Sequence, residues 1–166
     1  KLQQVVAPVS KKITVLDNPE LSQNVWKIRG CLVKAVEAVS EQEPLDIVVP
    51  ISKVDAFVNY VNKLEAESGM QMISFGHAGD GNVHLCVVRG DRPLEIWEKE
   101  LHQNLEKLYA EAHNLGGLIS GEHGLGVSKR DFFFRETAPA NVQLMNQIKL
   151  AFDPKKLLNN KISYVK

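Results

Sequence analysis

Apolar residues recur at helical spacing in four stretches of this chain and form short runs in five others. The longest stripe, Leu94, Trp97, Leu101, Leu105, Leu108, Ala112 and Leu115, keeps intervals of three and four after Pro93 and predicts a long helix with one buried face. Leu21, Val25, Ile28, Leu32, Ala35, Val36 and Val39 predict a second helix, started by Asp17-Asn18-Pro19 and running to Ser40, with Arg29 turned away from its stripe. Val54, Phe57, Val58, Val61 and Leu64 form one face of a third, with Ser52 and Asp55 spaced as a capping box and Gly69 at its end. A fourth follows Pro139 with Val142, Met145, Ile148 and Ala151 along one face, and Asp153-Pro154 then caps a last turn from Lys155 to Leu158.

The shorter runs predict strands. Ile13 to Leu16 is apolar and β-branched; Pro44 to Ile51 is apolar but carries two prolines, which places it near a sheet edge, where a missing N–H is tolerated. Met70 to Phe75 and Val83 to Val88 flank a glycine-rich turn and read as the arms of a hairpin, and Leu118-Ile119-Ser120 reads as one more short strand. Helices alternating with strands that include a hairpin predict an α+β fold: an antiparallel or mixed sheet with helices packed on one face, in a ferredoxin-like arrangement.

Composition narrows the function classes. With 166 residues, 44% hydrophobic and 24% charged, the chain reads as one ordinary domain over residues 1–166. Twenty basic and twenty acidic side chains give a net charge of zero, so nothing draws it to nucleic acid or to an anionic membrane surface. Cys31 and Cys86 have no disulfide spacing, and neither a signal peptide nor a spanning apolar run is visible; a reducing cytosol is expected, with membrane association only through a partner. The start, Lys1-Leu2-Gln3, lacks an initiator methionine and reads as the beginning of a fragment, with a cofactor domain expected ahead of it.

Candidate chemistry is concentrated in two stretches that hold eight of the eleven glycines. Phe75-Gly-His-Ala-Gly-Asp-Gly-Asn-Val-His84 puts two of the five histidines around the hairpin turn, bringing His77 and His84 to neighbouring positions on its arms. On the second arm His84, Cys86 and Val88 share one face, and Val83, Leu85 and Val87 the other. Gly116 to Gly126 adds Glu122 and His123 at the end of the short strand. Two imidazoles and a carboxylate with open positions are how proteins hold Zn²⁺, Mn²⁺ or Fe²⁺ when the metal must also touch a substrate. His102 and His113 lie off the stripe of the long helix and read as surface residues.

In this order the motifs Phe75 to His84, Ser120-Gly-Glu-His-Gly-Leu-Gly126 and Phe152-Asp-Pro-Lys-Lys-Leu-Leu-Asn159 resemble the C-terminal substrate domain of FAD-linked oxidases and dehydrogenases related to vanillyl-alcohol oxidase. Its nearest members are the glycolate oxidase large subunit, D-lactate dehydrogenases and D-2-hydroxyglutarate dehydrogenase, and the resemblance runs from about Val15 to the end. It implies a divalent metal (Zn, Mn or Fe) on His77, His84 and Glu122, and His123 as the base beside the substrate. It sets Arg29, after Trp26, on the substrate carboxylate, Cys86 in the substrate pocket and Asn159 against the flavin. Asp80 and Asn82 order the turn or support the ligands. FAD itself is implied as a cofactor bound mainly by a preceding domain, and a small 2-hydroxy acid, that FAD domain, an electron-transfer subunit and a second copy of the chain are the implied partners.

The departures from the pattern bear on substrate. Cys86 stands where the hydroxyglutarate enzymes have a substrate-binding asparagine, and Val33 and Pro44 stand where they use threonine and lysine, which favours a monocarboxylate such as lactate or glycolate. The tail reads Leu158-Asn159-Asn160-Lys161 where many members have Asn-Pro-Gly-Lys. Two rival classes differ in their needs. A metal-binding or subunit-interaction domain without catalysis would not need His123 beside a complete ligand set, and a zinc hydrolase would depend on a helical His-Glu-x-x-His spacing that is missing.

Overall fold

The structure is a computed structural model that describes residues 1–159. The chain forms two units, Lys1–Val39 and Ser40–Lys166. In the first, α1 (Leu2–Val6) is followed by an extended segment and then by α2 (Pro19–Gly30) and α3 (Leu32–Glu37). Asn18 caps α2 as its position before a proline predicts, its Oδ1 accepting from the amides of Glu20 and Leu21 at 2.8 and 3.3 Å. Two expectations fail here. Ile13 to Leu16 forms no strand: these residues are exposed, and no described strand offers them ladder partners. The single helix to Ser40 is broken at Cys31, directly after Gly30, whose backbone entropy opposes the helix interior.

The second unit is built on an antiparallel sheet in the order β1-β3-β2, with β1 Gln42–Val48, β2 Met72–His77 and β3 Asn82–Val88. Its register sorts the two faces. Leu45 pairs with Leu85, Ile47 with Val83 and Met72 with Val87 on one face, whereas Asp46 and Phe75 both pair with His84, and His77 pairs with Asn82, on the other. The first face packs against α4 (Val54–Ser68) and α5 (Leu94–Asn114), burying Phe57, Val61, Leu64, Trp97, Leu105, Leu108 and Ala112 with the strand residues. Each fully buried large apolar side chain contributes about 1.5–3 kcal/mol over its exposed state.

The second unit is an α+β fold with α4 and α5 on one face of its sheet, and the order β-α-β-β-α is that of a ferredoxin-like arrangement. Where a fourth strand would lie, Leu118 and Ser120 make only isolated bridges to Val48 and Asp46, along the outer edge of β1. The Ser52–Asp55 capping box does not form; the chain enters α4 through a 3-10 turn, Ile51–Lys53, whose Lys53 amide bonds the Pro50 carbonyl. Gly69 ends α4 in the left-handed conformation, as predicted.

Beyond α5 lie α6 (Arg130–Glu136), which the apolar pattern does not announce, and α7 (Pro139–Phe152). In α6, Phe132 is buried against the Tyr109 ring at 4.7 Å. No residue of α7 is buried, so the stripe from Val142 to Ala151 is not core. Asp153 closes the following turn by accepting from the amides of Leu157 and Leu158 at 2.9 and 3.0 Å and from Lys149. Asn160 and Lys161, part of the tail motif, lie outside the described residues.

The turn between β2 and β3 is locked by the backbone. Gly81 has φ +75°, and a Cβ there would stand 2.0 Å from the Val49 carbonyl oxygen, while Gly79 meets nothing within 4 Å. Gly81→Ala is expected to cost at least about 2 kcal/mol and Gly79→Ala to stay within about 0.5 kcal/mol. Urea midpoints of the two variants check this; equal midpoints would contradict the locked turn.

Candidate metal and substrate site

The sheet face turned away from the core carries His77, His84 and Asp46, one from each strand. His77 on β2 and His84 on β3 are diagonal neighbours through the His77–Asn82 pair, with ring centroids 5.3 Å apart. Asp46 on β1 sits directly opposite His84. Glu122 and His123 arrive from the loop after Ser120, whose backbone lies on the floor of the site: a Cβ on Gly121 would stand 2.9 Å from Asn82 Nδ2.

Three imidazoles converge on one carboxylate oxygen. Glu122 Oε1 lies 3.2 Å from His84 Nε2, 3.7 Å from His77 Nε2 and 3.9 Å from His123 Nε2. His123 stacks on His84 with centroids 5.0 Å apart and planes 11° from parallel. Exposure rises from floor to mouth: Asp46 0%, His84 13%, His77 37%, Glu122 52% and His123 57%.

The electrostatics suit ligation. Burial, aided by the neighbouring His123 and opposed by Asp46 and Glu122, pushes the His84 pKa below its ordinary value, so its ring is neutral at pH 7 and keeps a lone pair to donate. Burial alone would raise Asp46, but the backbone amides of His123 and Glu122, with the Asn82 carboxamide and His123 beside it, outweigh burial and hold it at about 2. Asp46 is therefore a carboxylate throughout the neutral range.

Asp46, His84, Glu122 and His123 each offer a donor atom, all within 4.8 Å of one another, and His77 reaches the same Glu122 oxygen. This donor set of imidazoles and carboxylates fits a divalent first-row cation. Two cavities of the second unit measure about 100 Å³ beside Ile119 and Phe133 and about 230 Å³ beside Val58 and Phe75.

The sequence of this chain is that of a known group. The family model described as FAD linked oxidases, C-terminal domain, matches residues 2–162. The chain belongs to this family. Among curated relatives, this FAD-linked oxidase C-terminal domain is 39% identical to a D-lactate dehydrogenase of Anaerostipes hadrus over 92% of the chain and 32% of the relative. It is 42% identical to a D-lactate dehydrogenase of Archaeoglobus fulgidus over 80% of the chain and 29% of the relative. A D-2-hydroxyglutarate dehydrogenase of Stutzerimonas stutzeri is 33% identical over 82% of the chain and 30% of its own length. The domain thus spans about a third of these relatives.

Of the residues singled out in the sequence, His77, His84, Glu122 and His123 come together. Cys86 is on the same sheet face as His84, two residues along, and is buried at 2% exposure. Arg29 belongs to the first unit, where its guanidinium lies over the Trp26 ring at 5.6 Å. Asn159 is exposed at φ +47°, after the turn held by Asp153. His102 and His113 are exposed on α5 and face Glu106 and Glu136 at 3.5 and 3.4 Å, as surface residues do. The residue that sequence reasoning missed is Asp46. Its signal was there: it is the one charge in the apolar run Pro44 to Ile51. No helix among the described residues is long and apolar enough to cross a membrane.

Proposed function

We propose that this domain is the substrate-handling part of an FAD-linked dehydrogenase that oxidises a D-2-hydroxy acid of the lactate or glycolate type to the 2-oxo acid. The observation that carries the reading is the convergence of the His77, His84 and His123 Nε2 atoms on a single Glu122 oxygen. Relatives named D-lactate dehydrogenase support the same substrate class.

His77, His84 and Glu122 hold a divalent cation, whose contribution when bound is Lewis acidity toward the α-hydroxyl. His123, the most exposed member of the set, stands at the mouth and takes the hydroxyl proton on its ring as the general base. Arg29 holds the substrate carboxylate as a charge-assisted partner. FAD, carried mainly by another part of the full-length protein, supplies the acceptor for the Cα hydride, with Asn159 on the side of this domain that meets it. The re-oxidation of the cofactor falls to an electron-transfer partner.

Cys86 is buried and neither Val33 nor Pro44 can donate to a second carboxylate, which argues for a monocarboxylate. Steady-state assays of the full-length protein with D-lactate, glycolate and D-2-hydroxyglutarate, coupled to a redox dye, test this. We expect kcat/KM for the preferred monocarboxylate to exceed that for the dicarboxylate by about 10- to 100-fold, the worth of an unmatched buried charge. A preference for D-2-hydroxyglutarate, or turnover of none of the three, would overturn the reading.

A further inference from the structure

We propose that Asp46 is the positioning residue of this site, with its two carboxylate oxygens doing different jobs. One holds the turn that delivers Glu122 and His123; the other decides which ring nitrogen of His84 carries the proton. The proposal rests on the reading of His84 as a ligand.

The first job is visible in the hydrogen bonds. Asp46 Oδ2 accepts from Ser120 Oγ at 3.1 Å and from three successive backbone amides, Gly121 at 3.0, Glu122 at 2.8 and His123 at 2.7 Å. A run of backbone N–H groups folded around one anion is a nest, and here the anion is a side chain of the sheet. The Gly121 amide also bonds the Asp46 carbonyl at 2.9 Å. A fully buried carboxylate is expensive, and four donors on one oxygen are what offsets that cost. The peptide units that carry Glu122 and His123 are thus fixed to β1 and not left to the mobility of a glycine-rich loop.

The second job follows from what remains. Asp46 Oδ1 and His84 Nδ1 are both buried and lie 3.6 Å apart with no close hydrogen bond on either atom, the Asn82 carboxamide being the other polar group beside the carboxylate. If Nδ1 carries the proton of the neutral ring, each atom finds in the other its missing partner. If Nε2 carries it instead, two lone pairs face each other across a buried gap, which leaves both unsatisfied. The carboxylate therefore selects the Nδ1–H tautomer and frees the Nε2 lone pair, the atom 3.2 Å from Glu122 Oε1. Asp46 does to His84 what an outer-shell carboxylate does to a metal-binding histidine, while the same side chain fixes the turn bearing the opposing ligand.

The test uses the 166-residue chain and Asp46→Asn, which keeps the shape, leaves an oxygen for the turn amides and presents an NH₂ to His84 Nδ1. Long-range ¹H–¹⁵N correlations on the metal-free parent should show His84 protonated at Nδ1, and in the variant at Nε2. Zn²⁺ affinity, measured by competition with a chelating dye, should fall about 10- to 100-fold in the variant, with unchanged circular dichroism. A parent His84 protonated at Nε2, or a folded variant with the parent's tautomer and affinity, would overturn the proposal. The parent tautomer is read without any substitution, so a variant that fails to fold does not shield it. A tautomer switch in a chain that binds no Zn²⁺ in either form would support the positioning role and remove the metal reading instead.

Discussion

Glu122→Ala should lower the affinity of the chain for Zn²⁺ or Mn²⁺ by more than about 100-fold, because it deletes the oxygen around which three imidazoles are arranged. Removal of outer partners of metal ligands already costs 10- to 100-fold, and a ligand itself costs more. His84→Ala should behave alike: its Nε2 is the nearest of the three, at 3.2 Å, and its ring is the support on which His123 stacks. His102→Ala and His113→Ala, on the exposed side of α5, should leave binding unchanged and serve as controls for nonspecific imidazole binding. Elemental analysis after equilibration with each cation and extensive dialysis provides the readout. Retention of stoichiometric metal by both Glu122→Ala and His84→Ala would show that the cluster is a set of polar loop and sheet residues with no cation of its own.

The second large effect is expected in turnover. If the full-length protein acts as proposed, His123→Ala should lower its kcat by about 10²–10⁴ with little change in KM, since a base acts only as the hydroxyl proton leaves. Arg29→Ala should mainly raise KM, because an arginine on a carboxylate binds substrate and transition state alike. The geometry makes the His123 experiment interpretable: at 57% exposure the side chain has no packing role whose loss would unfold the site, and its amide, which bonds Asp46 Oδ2, survives the substitution. Steady-state kinetics with the preferred hydroxy acid, repeated with the α-deuterated substrate to confirm that hydride transfer is observed, separates the two signatures. Near-normal turnover in His123→Ala would leave the mechanism without its base.

How much of this was legible beforehand depended on how local each determinant is. The hairpin and its histidines were readable because glycines at Gly76, Gly79 and Gly81 allow no α-helix, only the single 3-10 turn Ala78–Asp80, and the alternation from Val83 to Val88 sorts the two faces by parity. Glu122 and His123 could be nominated from their own glycine-rich stretch. Asp46 could not be assigned a role in the same way, since its partners are the amides of Gly121, Glu122 and His123, and nothing along β1 announces a loop that returns from beyond α5. The helix α6 was hidden for a simpler reason: Phe132-Phe133-Phe134 is a run without a period, and only the packing of Phe132 on Tyr109 shows which ring turns inward. The break at Cys31 has a local cause in Gly30, which the unbroken apolar stripe from Leu21 to Val39 masks.

One consequence of the strand order concerns solubility. Among the described strands β2 has a neighbour on one side only, β3, whereas the outer edge of β1 is partly covered by Leu118 and Ser120. The six residues of β2, Met-Ile-Ser-Phe-Gly-His, contain no proline, lysine or acidic side chain to discourage a further strand from adding to their unpaired amides and carbonyls. Short segments of this composition are templates for cross-chain pairing when left bare. The strand that contributes His77 is thus also the seam along which copies of the chain would associate, so aggregation of this kind would bury a residue of the proposed metal site before the core itself unfolds.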